Sequence, residues 1–397
     1  MMKPILPADR TKKITYAIRD VVVEAQKLEK QGKKIIYLNI GDPLVYDFKT
    51  PRHMIEAVEK NWSKSSSYAD SMGLLEARQA IAREAARLGV NGVTESDVIL
   101  TSGGSEGIAM AIGALVNPGE NILTPKPGYP LYNAVINYLG AEENEYDLDE
   151  GNDWQPDIAD MRKKINSKTR AIVLINPNNP TGALYTKETL LKVIGLAREF
   201  NLPILSDETY DKIIFDDDFR FNSVGALASD IPVVTFNTLS KNYLCPGWRV
   251  GWLFFSGPRE MMAGYTEAVK QLARARLSIT HPMQYAVKPA LEGPQDHIAE
   301  MVAKLRKRRD ITFNELNSIK KISCAKPRGA FYAFAKVECK ETDKEFTLNL
   351  LRETGVLFVY GAGFGQKEGT KHFRVVFAAS EEALKNAYSN LRGFMFR

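Results

Sequence analysis

Apolar positions recur along the chain with two different spacings, and the changes between them predict the order of helices and strands. Helical spacing over residues 15–31, closed by Gly32, predicts an N-terminal helix. Further helices are expected over 51–60, over the segment before Leu88, and over 187–200. Short apolar runs predict strands at 35–38, 98–101, 121–124, 171–175, 202–205 and 231–236. Strands and helices therefore alternate through the middle of the chain.

This middle part predicts a large, doubly wound and mostly parallel sheet. The β-α-β order recurs from about residue 98 to 255, and units of this kind place their strands parallel in one sheet. The run 171–175 is apolar without alternation, as expected for a central strand that is buried on both faces. We therefore expect an α/β fold for this part.

After about residue 285 the pattern changes and predicts a smaller α+β domain. A basic helix is expected over 296–317 and another helix over 344–353. Strands are expected over 322–324, 330–334, 356–359 and 372–377. The basic run 304–309 is interpreted as the solvated face of its helix. No glycine- or serine-rich linker separates the two parts, so we expect them to pack closely.

Polar and charged residues follow the predicted parallel strands at their carboxyl ends. Ser102–Ser105, Asn179, Asp207 with Tyr210, and Lys241 each come shortly after such a strand. Because the carboxyl ends of parallel strands meet at one edge of a sheet, these groups are expected to face one crevice. That crevice is the predicted functional site.

The segment from Ser102 to Ser105 has the character of an anion site. A turn of small residues between a strand and an apolar helix exposes backbone N–H groups at the positive end of the helix dipole, which suits a phosphate. The segment matches neither a P-loop nor the dinucleotide-binding fingerprint. A plain structural turn is the alternative interpretation.

Four further residues each allow two interpretations. Buried in the crevice, Lys241 would lose hydration, its pKa would fall, and its amine would become a nucleophile for an aldehyde; on an exposed turn it would do none of this. Arg374 stands in an apolar strand and needs an anion, either a structural carboxylate or a substrate carboxylate. Gly41 either approaches a ligand or makes a turn. Tyr129 either stacks on a flat ring or packs its proline-rich loop.

Composition narrows the classes of function. The 397 residues include 53 basic and 48 acidic side chains, and the net charge of +5 is too small and too dispersed to indicate a nucleic-acid or membrane partner. Three cysteines and four histidines show no ligand spacing, so neither a disulfide framework nor a metal site is indicated. The sequence shows no signal peptide and no apolar stretch that could span a membrane, and we expect a cytoplasmic protein.

Three motifs, taken in order, resemble those of a known family. The first two are Asn176-Pro-x-x-Pro-Thr-Gly182 and Asp207-x-x-Tyr210, and the third joins Ser240-Lys241 to Gly247-x-Arg-x-Gly251. In this order and at these spacings they resemble the class I/II aminotransferases, the fold type I enzymes that use pyridoxal 5′-phosphate. The resemblance extends from Gly41 to Arg374. A closer similarity, to the alanine aminotransferase-like branch, rests on Tyr16-x-Ile-Arg19, residues 127–132, residues 327–332 and Lys241-Asn-Tyr.

The resemblance implies a role for each residue around the cofactor. Lys241 holds pyridoxal phosphate as a Schiff base, and Asp207 pairs with the pyridine nitrogen. Asn179 and Tyr210 hydrogen-bond the ring oxygen, and Tyr129 stacks on the ring face. The residues implied to surround the phosphate are Gly103, Gly104, Ser105, Thr238, Ser240, Arg249 and Tyr68, the last reaching over from a neighbouring subunit.

The resemblance also implies the substrate site. Arg374 binds the α-carboxylate of the amino acid, with Gly41 and Asn179 nearby. Arg19, one turn after Tyr16, is either the cation that binds a distal carboxylate or a surface arginine.

The implied activity is transfer of an amino group from an L-amino acid to a 2-oxo acid by a ping-pong mechanism, with Lys241, Asp207 and Tyr210 as catalytic residues. The branch implies alanine and pyruvate, paired with glutamate and 2-oxoglutarate. A homodimer is implied, as is a small domain formed by residues 1–48 and 286–397 beside a large domain of residues 49–285.

Other members of the same fold remain open at this stage. Lys241 and Asp207 serve equally in aspartate, aromatic or diaminopimelate aminotransferases, in a β-lyase and in an aminocyclopropane-carboxylate synthase. A different class, a pyridoxal-phosphate-dependent transcription regulator, needs a helix-turn-helix module before Gly41. Only about 40 residues precede that glycine, which disfavours this class.

Overall fold

The computed structural model describes residues 4–14 and 17–396. Within them the strands are β1 Ile36–Tyr37, β2 Val98–Ser102, β3 Asn121–Lys126, β4 Glu142–Asp149, β5 Gln155–Pro156, β6 Thr169–Ile175, β7 Ile204–Asp207, β8 Val233–Thr238, β9 Val250–Ser256, β10 Ile322–Cys324, β11 Tyr332–Val337, β12 Val356–Leu357, β13 Val359–Tyr360 and β14 His372–Val376. The helices are α1 Ala17–Lys30, α2 Arg52–Asn61, α3 Leu75–Arg87, α4 Gly103–Gly113, α5 Leu131–Tyr138, α6 Ile158–Lys164, α7 Lys187–Glu199, α8 Val224–Leu227, α9 Arg259–Arg276, α10 His281–Gln284, α11 Val287–Glu292, α12 Asp296–Asn317, α13 Asp343–Thr354 and α14 Glu381–Met395.

The large sheet has eight strands in the spatial order β2-β9-β8-β7-β6-β3-β4-β5. Neighbours from β8 through β4 pair in parallel, whereas β9 runs antiparallel between β2 and β8, and β5 runs antiparallel at the other edge. The mostly parallel α/β sheet predicted from the sequence is therefore confirmed. Because β2 and β8 flank the same antiparallel strand, they point the same way, and their carboxyl ends join those of β6 and β7 at one edge.

The central strands are apolar because helices cover both faces of the sheet. Residues 171–175 of β6 and the first two residues of β7 are almost fully buried. Their side chains divide between two cores, one with α7 and one with α4 and α5. A continuous apolar run is the pattern that burial on both faces requires.

The C-terminal part forms a second sheet of four antiparallel strands, in the order β10-β11-β14-β13. Helices α12, α13 and α14 contribute to its core. From the N-terminal segment, β1 pairs in parallel with β12. We propose the division into residues 49–285 and residues 1–48 with 286–397, which this pairing supports. Helix α11 lies at the proposed junction, since Val287 and Leu291 pack with α2 and α3.

The prediction that the basic run of α12 is a solvated face was wrong for two of its arginines. Arg308 and Arg309 are 3% and 1% exposed. Arg308 binds Asp47 with Nη2, and Arg309 binds Asp216 with Nη1 and Nη2. These carboxylates come from distant segments and compensate the burial of the two guanidinium groups.

Candidate active site

The carboxyl edge of the large sheet borders a cavity of about 440 Å³. It lies where the N-terminal segment and β14 approach the large sheet, which is the position that open α/β sheets favour for ligands. Most of the residues predicted for the site line it, namely Arg19, Gly41, Gly104, Ser105, Tyr129, Asn179, Asp207, Tyr210, Thr238, Ser240, Lys241, Arg249 and Arg374.

Lys241 follows β8 and directs its amine into the cavity. Its Nζ donates a hydrogen bond to the carbonyl oxygen of Gly41 at 2.5 Å. Burial lowers the pKa of this amine to about 8, with the charges of Arg374 and Arg249 acting in the same direction and that of Asp42 opposing. At pH 7 about one amine in ten is then neutral, against about one in three thousand for an ordinary lysine. The structure therefore favours the nucleophile over the exposed turn.

Asp207 ends β7 and is buried at 6% exposure. Its Oδ2 accepts a hydrogen bond from the Tyr132 hydroxyl at 3.2 Å, and its Oδ1 accepts one from the Thr209 backbone N–H at 3.2 Å. Burial raises the pKa of the carboxyl group, while the hydrogen bonds from Thr209 and Tyr132 and the charge of Lys241 oppose that rise. A carboxylate placed in this way is suited to pair with a cationic group of a ligand.

The turn from Ser102 into α4 approaches the guanidinium of Arg249 closely. Gly103 has φ of +71°, and a Cβ there would clash with Arg249 Nη2. Arg249 donates to the carbonyl oxygens of Pro246 at 3.1 Å and Ser102 at 3.3 Å, so its position at the helix N-terminus is fixed. Helix α4 begins at Gly103, so the small residues predicted to form a turn make up the first turn of the helix.

Two hydroxyl groups, one from the last residue of β8 and one from the loop after it, line the cavity together with Arg249. Thr238 Oγ1 and Ser240 Oγ lie 2.8 Å apart, and Thr238 Oγ1 also bonds the Val250 carbonyl oxygen at 2.7 Å. The backbone N–H groups of Gly104 and Ser105 in the first turn of α4, the Arg249 guanidinium and the Ser240 hydroxyl group form a donor set that fits a phosphate. Because Gly103 lacks a Cβ, the Arg249 guanidinium can reach this corner. Together with the amine of Lys241 and the carboxylate of Asp207, this donor set fits pyridoxal 5′-phosphate.

Arg374 enters the opposite side of the cavity from β14 and is 1% exposed. Its Nη1 donates to Asn179 Oδ1 at 2.9 Å, and its Nη2 donates to the Asn39 carbonyl oxygen. Its guanidinium lies 4.6 Å from the ring centroids of both Tyr332 and Phe364. These contacts fix the orientation of a cation that lines the cavity, which suits a carboxylate ligand.

Tyr210, Gly41 and Tyr129 occupy the remaining walls. The Tyr210 hydroxyl lies 2.7 Å from that of Tyr332. Burial raises the pKa of Tyr210 well above its usual value, so the phenol is protonated at neutral pH. A Cβ at Gly41 would clash with the Tyr332 hydroxyl, so this glycine meets a need for close approach. Tyr129 is partly buried at the cavity wall, beside Gly128, whose N–H donates to the Phe364 carbonyl oxygen at 2.8 Å.

Three predicted residues stand apart from the others. Tyr68 is 77% exposed and lies outside the cavity of this chain. Arg19 lines the cavity, yet its side chain belongs to the exposed face of α1. Tyr16 lies outside the described residues.

Sequence reasoning missed several residues that line or support the cavity. Tyr332, Asp42 and Thr209 line it, and Tyr132 holds Asp207. In the sequence, the run 327–332 supports only the similarity to a family branch and assigns no role to its tyrosine. Tyr132 could have been identified as a site residue from its position, because it follows Tyr129 by one turn in the same proline-rich loop.

Two features are absent from residues 4–14 and 17–396. In this part of the chain, no group of three or more histidine, cysteine, aspartate or glutamate side chains is arranged to hold a metal ion. None of the helices described there combines the length and apolar character needed to cross a membrane. The expected cytoplasmic location stays a prediction.

Comparison with known proteins agrees with this geometry. The profile of the family described as aminotransferase class I and II matches residues 33–391. The chain is 40% identical over 396 residues to the glutamate-pyruvate aminotransferase AlaA of Haemophilus influenzae, covering 98% of this chain and 97% of that protein. It is 38% identical to an alanine aminotransferase of Mycobacterium bovis, covering 96% of this chain and 90% of that protein.

The fold has a close structural counterpart. The structure of an alanine aminotransferase from Pyrococcus furiosus matches with a TM-score of 0.95 at 44% identity, covering 98% of this chain and 100% of that one. The family match spans both sheets and every residue of the cavity except Ile18 and Arg19. The chain therefore belongs to the class I and II aminotransferases.

Proposed function

We propose that this protein is a pyridoxal 5′-phosphate-dependent aminotransferase whose substrates are alanine and pyruvate, paired with glutamate and 2-oxoglutarate. The observation that carries the proposal is the meeting of Lys241, Asp207 and Arg374 in one cavity, with a phosphate-type donor set at its end. The choice of substrates is supported by the names of similar proteins, glutamate-pyruvate and alanine aminotransferases.

Each wall of the cavity has a proposed task in holding the cofactor. Gly103, Gly104 and Ser105 of α4, with Thr238, Ser240 and Arg249, would take the phosphate. Asp207 would pair with the ring nitrogen, and Asn179 and Tyr210 would donate to the ring oxygen. Tyr129 would cover one face of the ring. Tyr68 would reach the phosphate of a second copy in a homodimer, a role supported by its exposure in this chain.

The chemistry divides between the cofactor and the side chains. When bound, pyridoxal phosphate supplies an electron sink for the charge that develops at the substrate Cα. Lys241 Nζ, with its lowered pKa, takes the proton from Cα and later returns one. Asp207 keeps the ring nitrogen in its protonated form, since a buried carboxylate favours a cationic partner. Lys241, Asp207 and Tyr210 are therefore the proposed catalytic residues.

Arg374 would bind the α-carboxylate that all amino-acid substrates share, with Gly41 and Asn179 beside it. Its guanidinium is fixed by Asn179 and the Asn39 carbonyl oxygen, so little side-chain entropy is lost when a carboxylate binds. Specificity must then come from the part of the cavity that takes the substrate side chain, where Arg19 and Ile18 form a wall.

A panel of amino acids tests the proposed function directly. We expect the visible absorbance of the holoenzyme to fall fastest with alanine and glutamate, and more slowly with aspartate or aromatic amino acids. Stopped-flow absorbance measurements with each amino acid alone give these half-reaction rates. A response to aspartate or aromatic amino acids alone would show that the substrates are wrong. No response to any amino acid would contradict the reaction itself.

Arg19→Ala separates the two interpretations of this arginine. If Arg19 binds the distal carboxylate, kcat/KM for glutamate should fall roughly 10- to 100-fold, while kcat/KM for alanine stays within about twofold, because a charged hydrogen bond contributes about 1.5–3 kcal/mol. Lys30→Ala, which removes an exposed cation at the end of the same helix, is the matched control. An equal loss for both substrates would contradict a role in specificity.

A further inference from the structure

The side chain of Tyr332 contacts Tyr210, which is proposed to bind the cofactor ring, and Arg374, which is proposed to bind the substrate carboxylate. We propose that Tyr332 is a positioning residue that links Tyr210 to Arg374, with its hydroxyl serving the first and its ring serving the second. The inference rests on the proposed function, because it assigns Tyr210 to the ring oxygen of pyridoxal phosphate and Arg374 to the substrate carboxylate.

The small sheet places Tyr332 and Arg374 together. Strands β11 and β14 are antiparallel, with Tyr332 opposite Val376 and Phe334 opposite Arg374. Residues opposite each other lie on the same face of a sheet, and so do residues two apart on one strand. Tyr332 and Arg374 are therefore diagonal neighbours on one face, which is within reach for an aromatic ring and a long side chain.

The ring of Tyr332 is one of two aromatic rings that pack on the guanidinium of Arg374. The guanidinium carbon lies 4.6 Å from the centroid of Tyr332 and 4.6 Å from that of Phe364. Tyr332 is 2% exposed, so water does not compete for its ring face. A guanidinium packed on two aromatic rings keeps its plane and its N–H groups in one orientation, which a bidentate carboxylate requires.

The hydroxyl of Tyr332 completes a chain of hydrogen bonds. It lies 2.7 Å from the Tyr210 hydroxyl, and either oxygen can be the donor. A hydroxyl group carries one proton. If Tyr210 gives its proton to the ring oxygen, Tyr332 must donate to Tyr210. Such a chain polarises Tyr210 and strengthens the bond that it donates.

The two tasks of Tyr332 are separable by substitution. Tyr332→Phe removes the hydroxyl and keeps the ring against Arg374, whereas Tyr332→Leu removes both. The Tyr332 hydroxyl packs closely against Gly41, because a Cβ at position 41 would clash with that hydroxyl. Neither variant enlarges a side chain, so neither introduces a clash of its own.

The first readout is the pH midpoint of the visible absorbance of the holoenzyme. A hydrogen bond to the ring oxygen stabilises its ionised form, so a weaker bond raises the midpoint. Cooperative strengthening of a charged hydrogen bond by 10–30% corresponds to a shift of up to roughly 0.6 pH unit. We expect Tyr332→Phe to raise the midpoint by about 0.1–0.6 pH unit, while KM for alanine stays within about twofold.

The second readout is KM for alanine. Tyr332→Leu should show the same rise in midpoint and, in addition, a KM raised by about 2- to 30-fold through loss of the cation–π contact. Tyr388→Phe is the matched control, because Tyr388 is also fully buried and its hydroxyl bonds Thr312 Oγ1 at 2.7 Å, away from the cavity. This control should change neither the midpoint nor KM.

The outcomes distinguish the inference from the function on which it rests. A parent protein that binds no pyridoxal phosphate would overturn the proposed function, and the inference with it. A parent that titrates normally, with a Tyr332→Phe midpoint that is unchanged or lowered, would overturn the hydroxyl link alone. An unchanged KM in Tyr332→Leu would overturn the ring contact as a determinant of carboxylate binding.

Discussion

Lys241→Ala is expected to abolish measurable transamination while the protein keeps its fold. A positioned acid–base group alone contributes about 10²- to 10⁴-fold in rate, and this amine is also the proposed attachment point of the cofactor. The variant should still bind pyridoxal phosphate, because Arg249, Ser240 and the turn before α4 remain in place. Steady-state assays with alanine and 2-oxoglutarate, with cofactor content measured in parallel, check both parts.

The stability of the Lys241→Ala variant has a defined sign. The pKa of Lys241 is lowered to about 8 in the folded protein, so keeping the protonated amine buried costs stability. This cost is fully present below about pH 8 and disappears as the pH rises to the unfolded value of about 10.4. Removing the amine should therefore leave the heat stability of the apoprotein at pH 7 unchanged or raise it. Lys164→Ala, which removes a partly buried lysine paired with Asp160 at 2.8 Å, is the control and should retain activity. Near-normal activity in Lys241→Ala would contradict its assigned role.

Asp207→Asn should lower kcat by roughly 10²- to 10³-fold with a much smaller change in KM. Loss of one partner of a buried charge pair costs about 2–5 kcal/mol, and here the loss falls on the step in which negative charge develops. The amide keeps the volume of the carboxylate, so the cavity should not collapse. Steady-state kinetics that determine kcat and KM separately for the variant and the parent protein provide the measurement.

Glu208→Gln provides a strict comparison for Asp207→Asn. Glu208 is the next residue, is 1% exposed, and accepts hydrogen bonds from Ser206, Ser223 and the Val224 N–H away from the cavity. Burial raises its pKa to about 8, so at pH 7 it is mostly neutral already, and an amide changes little. Equal losses of kcat in the two variants would attribute the effect to buried carboxyl groups in general, and would refute a specific role for Asp207.

The residues at the strand ends were predictable because position along the chain and position in space coincide there. A parallel sheet brings successive strand ends to one edge, so Asp207, Lys241 and the turn after Ser102 needed only the β-α-β pattern to be placed together. The three motifs then indicated the class of reaction. For the same reason, the central strands were predicted within about two residues of their observed bounds.

Tyr332 and Asn39 could not be placed in this way, because their positions depend on pairings between distant segments. The contact of Tyr332 with Arg374 follows from the register of β11 against β14, and a shift of one residue would turn the ring to the other face. Asn39 reaches Arg374 through its carbonyl oxygen, an atom that every residue carries. No side-chain pattern signals such a contact.

Strand β4 and the buried arginines show that polarity alone does not predict whether a residue lies in a strand or is buried. Strand β4 has the sequence EENEYDLD, and only Tyr146 and Leu148 are buried. Such a run lacks the apolar alternation and the β-branched residues that predict a strand, and its pairing with β3 overrides that composition. Arg308 and Arg309 are charged residues that partners from elsewhere allow to be buried.

The hydrogen bonds of the cavity also constrain how the protein is made. Arg374 and Asn39 are 335 residues apart, and Lys241 and Gly41 are 200 apart. Contacts of such separation form late, because closing a long loop costs entropy before the contact compensates for it. A ribosome must therefore release almost the whole chain before Asn39 and Arg374 can meet. The catalytic cavity is among the last parts of this protein to be completed during synthesis.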